Sequence, residues 1–253
     1  MKKFLTISLI SIMLTVNVNA DTEKSGSTKD CFEGLNRATF ALNQGLDKVI
    51  FKPIAKGYRI LPTSVRAGTY NVVNNISNLV TIPNNILQGD FKKAGVNTGR
   101  FVVNTTIGIV GIFDVAQKIG FKEYEKEDYG QSLGTMGVGP GCFLVIPVLG
   151  PSTLRDTVGS FANLLGGDPW YNITAVRDTQ HFSEFDYWTS RGVQGIDFRA
   201  KNIDSFENLE KNSMDFYASV KSLYLQDRQQ KILNSNRTTE TMDDGDWEEI
   251  ESN

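Results

Sequence analysis

Histidine is almost absent: His181 stands alone in 253 residues. Metal sites and most acid–base centres draw on clustered histidines, cysteines or carboxylates. The surrounding QHFSEFDYW offers Glu184 and Asp186 but no nucleophile and no second histidine. The acidic run Glu123, Glu125, Glu127 and Asp128 lacks the spacing and central glycine of a calcium loop. GVGPGC (137–142) is no phosphate loop, because Pro140 removes a backbone donor where one is needed. We therefore expect no catalytic residue, metal or cofactor, and a soluble hydrolase built on His181 is the reading these absences oppose.

Strand signals are equally scarce. Convincing period-two alternation is missing, and the apolar runs 107–113 and 143–149 are broken by glycine or proline. Charge is missing in blocks: Ala67–Gly89, Phe101–Phe113 and Tyr129–Leu154 are 23, 13 and 26 residues without one. A surface helix in water normally carries charge on its outer face. None of these blocks is a plain transmembrane helix, since the first is rich in asparagine and the last holds six glycines and three prolines. Each fits a segment wetted on one side by neutral polar groups and facing lipid, a partner or the core on the other.

What is present is helical periodicity. Leu35, Ala38, Leu42, Leu46, Val49 and Ile50 mark a helix expected to stop before Pro53, and Val65, Gly68, Val72, Ile76 and Leu79 mark another expected to end ahead of Pro83. Asp90 and the Ser152-Thr153 pair are N-cap candidates for further helices, and residues 193–224 form one long helix or two in series. At the N-terminus, Lys2 and Lys3, an apolar stretch from Phe4 to Val16 and Val18-Asn19-Ala20 form an export signal over residues 1–20. Asp21 stands where a lipid-anchored protein would carry cysteine. Residues 226–253 hold eight acids against three bases, and an acidic, disordered tail is expected over 231–253. Elsewhere acids and bases balance, which argues against a nucleic-acid partner.

Four features are candidates for function. Asn74 and Asn75, with Ile76, either satisfy broken helix ends or line a water-accessible path. Gly137, Gly139 and Gly141 precede the apolar run of Phe143, Leu144, Ile146 and Pro147, a hinged hairpin suited to acyl chains. Arg155, the first charge after that block, either pairs with an acid such as Asp156 or meets a phosphate headgroup. Cys31 and Cys142 either pair in an oxidising compartment or sit apart as small core residues.

Five blocks in order resemble the VacJ/MlaA lipoprotein family of Gram-negative bacteria: FEGLNRATFALNQGLDKVIFKPIAKGY, NNISNLVTIPNNILQGDFKKA, GRFVVNTTIGIVGIFDVA, EDYGQSLGTMGVGPGCFLVIPVLGPSTLRDTVG and KSLYLQDRQQ, spanning residues 32–230 behind a linker at 21–31. The resemblance implies an all-α, ring-like array of amphipathic helices around a central channel, on the periplasmic side of the outer membrane. It implies removal of misplaced phospholipid from the outer leaflet, association with a trimeric porin, and handover to a soluble periplasmic lipid carrier. Against the family pattern, Cys31 and Cys142 both replace expected prolines, a double change that favours their pairing. The competing expectation is a periplasmic scaffold or porin-binding protein without a lipid path.

Overall fold

The structure, a computed structural model, describes residues 28–177 and 181–236. The export signal (1–20), most of the expected linker and the tail beyond Asn236 lie outside the described residues.

Helix α1 (Glu33–Leu46) divides the first stripe of the sequence into two faces. Leu35 and Leu42, with Val49 beyond, recur at seven-residue steps and point outward, 69, 55 and 76 % exposed. Asn36 and Asn43, at the same spacing, turn inward. The chain does not stop before Pro53 as expected. A single wide turn over Asp47–Phe51, in which the Lys52 N–H reaches Asp47 five residues back, leads directly into α2 (Lys52–Arg59). Widening the turn makes room for the proline ring near the start of α2.

Helix α3 (Thr63–Leu87) likewise runs through Pro83, where an end was expected. Buried side-chain donors bond carbonyls in the turns around it: Thr81 Oγ1 to Ser77 O at 3.1 Å and Asn84 Nδ2 to Val80 O at 2.8 Å. These local bonds, and packing against α4 (Phe91–Thr106), hold the helix where the proline removes one backbone bond. Asp90 caps α4 as expected, accepting from the Lys93 N–H at 3.0 Å.

After α5 (Val115–Lys118) and α6 (Tyr129–Thr135) the chain forms the strands that the sequence did not announce: β1 (Phe143–Ile146) and β2 (Gly150–Thr153), antiparallel, with Phe143 opposite Thr153. Thr153 caps α7 (Leu154–Ala162), its hydroxyl accepting from the Asp156 N–H. A short α8 (Pro169–Tyr171) follows, then α9 (Glu184–Lys201), α10 (Ile203–Asn212) and α11 (Phe216–Asn236). Helix α11 continues past residue 231, where the tail was expected to begin.

The packing runs in a closed circuit. Helix α2 lies on α9, α9 on α3, α3 on α6, α6 on α11, α11 on β2, and β1 on α1, which leads back into α2. The result is a ring of helices with one two-stranded ribbon in its wall. Apolar cores are small, such as Ala55, Ala200 and Ile203 with Tyr58, and buried amides and ion pairs bear much of the cohesion. Among the described residues, no helix is long and apolar enough to cross a membrane.

Candidate functional site

The uncharged asparagine stripe of α3 is continuous helix, and much of it is buried against α4 and the segment leading to α6. Asn75 Nδ2 donates to Thr105 Oγ1 at 2.8 Å, Asn97 Nδ2 to Asn85 Oδ1 at 2.9 Å, and Ser132 Oγ to Asn84 Oδ1 at 2.6 Å. Arg100, nearly fully buried, closes the far end by pairing with Asp114 at 2.7 Å. Burying neutral amides avoids the desolvation cost of charge. Charge is missing from this block because its polar groups are interior. Asn75 therefore braces a helix pair, and Ile76 is half-buried rather than on the cavity described next.

That cavity lies between α3 and α9, with about 210 Å³ of free volume. Tyr70, Val73, Asn74 and Ser77 form the α3 wall, and Gln194, Asp197, Phe198 and Lys201 form the α9 wall. Helical spacing sets this pattern: 70, 73, 74 and 77 fall on one face of α3, and 194, 197, 198 and 201 on one face of α9. Lys126, from the extended segment before α6, completes the lining. The lining is amphipathic, with aromatic and aliphatic surface beside polar groups. Lys201 pairs with Asp197 at 2.8 Å and lies over the Tyr70 ring at 3.3 Å from its centroid, so those charges are locally balanced. Asn74, the one expected channel residue on this cavity, donates to Glu123 at 2.8 Å.

The hairpin sits elsewhere in the ring. Phe143 and Val145 are buried against Tyr217, with Phe40, Tyr224 and Leu225 around them, so Phe143 is core and does not face acyl chains. Alternation places Leu144 and Ile146 on the other, half-buried face, and Pro147 with Val148 and Leu149 at an exposed tip. Asparagines of α1 take the place of a third strand. Asn36 donates to Phe143 O and accepts from the Val145 N–H, both at 2.9 Å, and Asn43 does the same for Ile146 O and the Val148 N–H at 2.9 and 2.7 Å. Two amides seven residues apart thus satisfy the free edge of β1. Gly137 and Gly141 adopt left-handed backbone (φ 89° and 68°), and Gly139 stands in open space.

Cys31 and Cys142 are joined in a disulfide, with Cα atoms 5.5 Å apart. Beside it the Phe143 N–H donates to Lys29 O at 2.9 Å. Burial raises the cost of ionising Asp30, but hydrogen bonds from Tyr217, Asn36 and Lys221 outweigh it and hold its carboxyl below the usual range. Residues 28–31, expected as linker, are therefore pinned to the body.

Arg155 is not at a channel mouth. It is 7 % exposed, and its Nε donates to Asp156 at 3.1 Å. It belongs to a buried cluster whose centre the sequence reading missed. Arg228 of α11 forks onto Asp128 at 2.6 and 2.9 Å and onto Asp156 at 3.1 and 2.8 Å, while Tyr224 donates to Asp156 at 2.7 Å. Burial alone would raise both carboxyls, but Arg228 prevails: Asp128 is pulled down to about 2 and Asp156 is also held low. Gly130 and Gly159 let α6 and α7 approach this closely, since a Cβ on Gly130 would stand 2.5 Å from Asp156 Oδ1 and one on Gly159 would overlap the Gly130 nitrogen. The charges of this cluster stand in the DRQQ and TLRD blocks, but nothing in either block says that they meet.

A family model described as MlaA lipoprotein matches residues 28–231, the whole ring. The chain belongs to the MlaA lipoprotein family. Among relatives of this MlaA-family protein, the intermembrane phospholipid transport system lipoprotein MlaA of Haemophilus influenzae is 30 % identical over 91 % of this chain and 90 % of its own length. The protein of the same description from Escherichia coli is 31 % identical over 87 % and 84 %. An uncharacterised protein of Rickettsia bellii is 32 % identical over 85 % and 82 %. A solved structure, reported as the structural basis for maintenance of bacterial outer membrane lipid asymmetry, matches with a TM-score of 0.70 and 31 % identity, covering 81 % of this chain and 99 % of that one. The MlaA fold is thus common to both.

Proposed function

We propose that this chain moves phospholipid, without covalent chemistry, from the outer leaflet of the outer membrane through the α3–α9 cavity to a soluble periplasmic carrier. The observation that carries the reading is the amphipathic lining of that cavity: Tyr70, Val73 and Phe198 offer apolar surface to acyl chains, while Asn74, Ser77 and Gln194 offer neutral hydrogen bonds to polar parts. The names of the Haemophilus influenzae and Escherichia coli relatives support the lipid class.

Placement in the outer membrane, facing the periplasm, fits the apolar exterior. Leu35, Val49, Ile60, Leu165 and Phe185 are each more than two-thirds exposed. A trimeric porin and a periplasmic carrier are the partners such a path requires for entry and exit. The exposed tip at Pro147 and the left-handed Gly137 and Gly141 are suited to move with lipid passage, whereas Arg155 and Phe143 hold the frame around it.

Mass spectrometry of lipid co-purifying with the full chain, together with the surface lipid composition of a deletion strain, tests this. Bound phospholipid and excess surface phospholipid are expected. A lipid-free protein with unchanged surface lipid overturns the proposal.

A further inference from the structure

Among the charged side chains that line the cavity, Lys126 alone makes no ion pair with a described residue. Lys201 has Asp197, and Arg100 behind the α3 wall has Asp114. The Lys126 ammonium instead donates to a neutral amide oxygen, Asn78 Oδ1, at 2.5 Å, and has no ion-pair partner among the described residues. Retaining an ammonium in such a place costs desolvation free energy unless an anion is supplied.

We propose that Lys126 is the anion-recognition point of the α3–α9 cavity, taking the phosphate of a lipid whose acyl part lies along Tyr70, Val73 and Phe198. This deepens the transport reading and rests on it. Asn78, buried in the polar seam, fixes the direction of the ammonium, and two of its three protons remain for phosphate oxygens. The same geometry makes capture pH-dependent. Burial lowers Lys126 to about 8; Glu123 and Asp114 partly oppose that effect, and Arg100 adds to it. Asp197, Lys201 and Tyr70 face it across the cavity, and Tyr70, raised by burial, stays a neutral phenol through this range. Below pH 8 the ammonium is present to meet the phosphate, and above it the charge is lost.

The test is binding of phosphatidylglycerol, of diacylglycerol and of inorganic phosphate to the detergent-solubilised full chain, compared among wild type, Lys126→Gln and Lys126→Arg. Wild type is expected to bind phosphatidylglycerol about tenfold more tightly than Lys126→Gln, about 1.4 kcal/mol, and to lose a similar factor between about pH 7 and pH 9.5. Lys126→Arg keeps the affinity and flattens the pH profile, because a guanidinium does not titrate there. Diacylglycerol, which lacks the phosphate, binds all three proteins alike. Equal phosphatidylglycerol affinity in wild type and Lys126→Gln overturns the assignment and leaves lipid transport standing. Should Lys126→Gln not fold, a pH profile in Lys126→Arg as steep as that of wild type overturns it equally. If neither lipid binds wild type, the transport reading falls too. Inorganic phosphate binding as tightly as phosphatidylglycerol would replace the headgroup by a free phosphate.

Discussion

Replacing Arg228 by methionine keeps most of the side-chain length and removes the charge at the centre of the buried cluster. Four charged hydrogen bonds disappear, two to Asp128 and two to Asp156. Breaking a buried ion pair by deleting one partner costs about 3–5 kcal/mol, chiefly because the remaining charge is stranded. Here the stranding is incomplete. Asp156 keeps Arg155 and Tyr224, and the Asp128 side chain is 42 % exposed and regains water. The low end of the range, about 3 kcal/mol, is therefore expected, a fall in Tm of roughly 6–12 °C for a chain of this size. Thermal unfolding of the full chain in detergent, followed by circular dichroism, measures it. Combining Arg228→Met with Asp156→Asn should cost less than the sum of the two by about 1 kcal/mol or more, since they share one network. A Tm within about 2 °C of wild type for Arg228→Met, or strict additivity in the double variant, refutes the view that this cluster joins α11 to α6 and α7.

The same carboxyls set the acid limit. Both are held below their unfolded values, so their contribution is present above about pH 4 and is lost as pH falls below it, for Asp128 as pH falls through about 2; an acid titration whose midpoint is unmoved by Arg228→Met contradicts this. Exchanging Cys31 and Cys142 together for serine opens a loop closed between positions 111 apart and should cost about 2–4 kcal/mol, with wild type in reductant melting alongside the variant. Gly159→Ala puts a methyl against the Gly130 backbone and should cost about 1–3 kcal/mol, visible as a lower Tm without loss of lipid specificity. Val73→Trp fills the α3 wall of the cavity and should cut co-purified phospholipid roughly tenfold, the factor that about 1.4 kcal/mol of lost acyl contact gives; unchanged lipid content excludes this cavity as the path.

Helices and their caps were legible because periodicity and capping chemistry are local. Asp90 and Thr153 act as their sequence context implies. Helix ends at Pro53 and Pro83 were misjudged because a widened turn and tertiary packing compensate for a missing N–H, and neither is visible in a window of sequence. A hairpin was expected here, but not its strand pairing, because four-residue strands are too short to show alternation; side chains of Asn36 and Asn43, a hundred residues away, satisfy the edge of β1. Missing charge was a sound observation with two physical origins. Along α3 it reflects buried amides, and over 107–113 it reflects apolar side chains facing outward, among them Ile107 and Val110. Arg155 illustrates the remaining difficulty: whether an arginine beside an aspartate is exposed or interior depends on Arg228, Asp128 and two distant glycines that only the fold assembles.

The bond between Cys31 and Cys142 also fixes where force travels. Tension on the chain ahead of Lys29 does not pass along α1, through the asparagine seam and round to the ribbon. It crosses the disulfide, and the Phe143–Lys29 hydrogen bond beside it, straight into the root of β1. A pull on the chain ahead of Lys29 therefore moves the ribbon with it, and the stretch between the two cysteines, which stand 111 positions apart, is relieved of that pull.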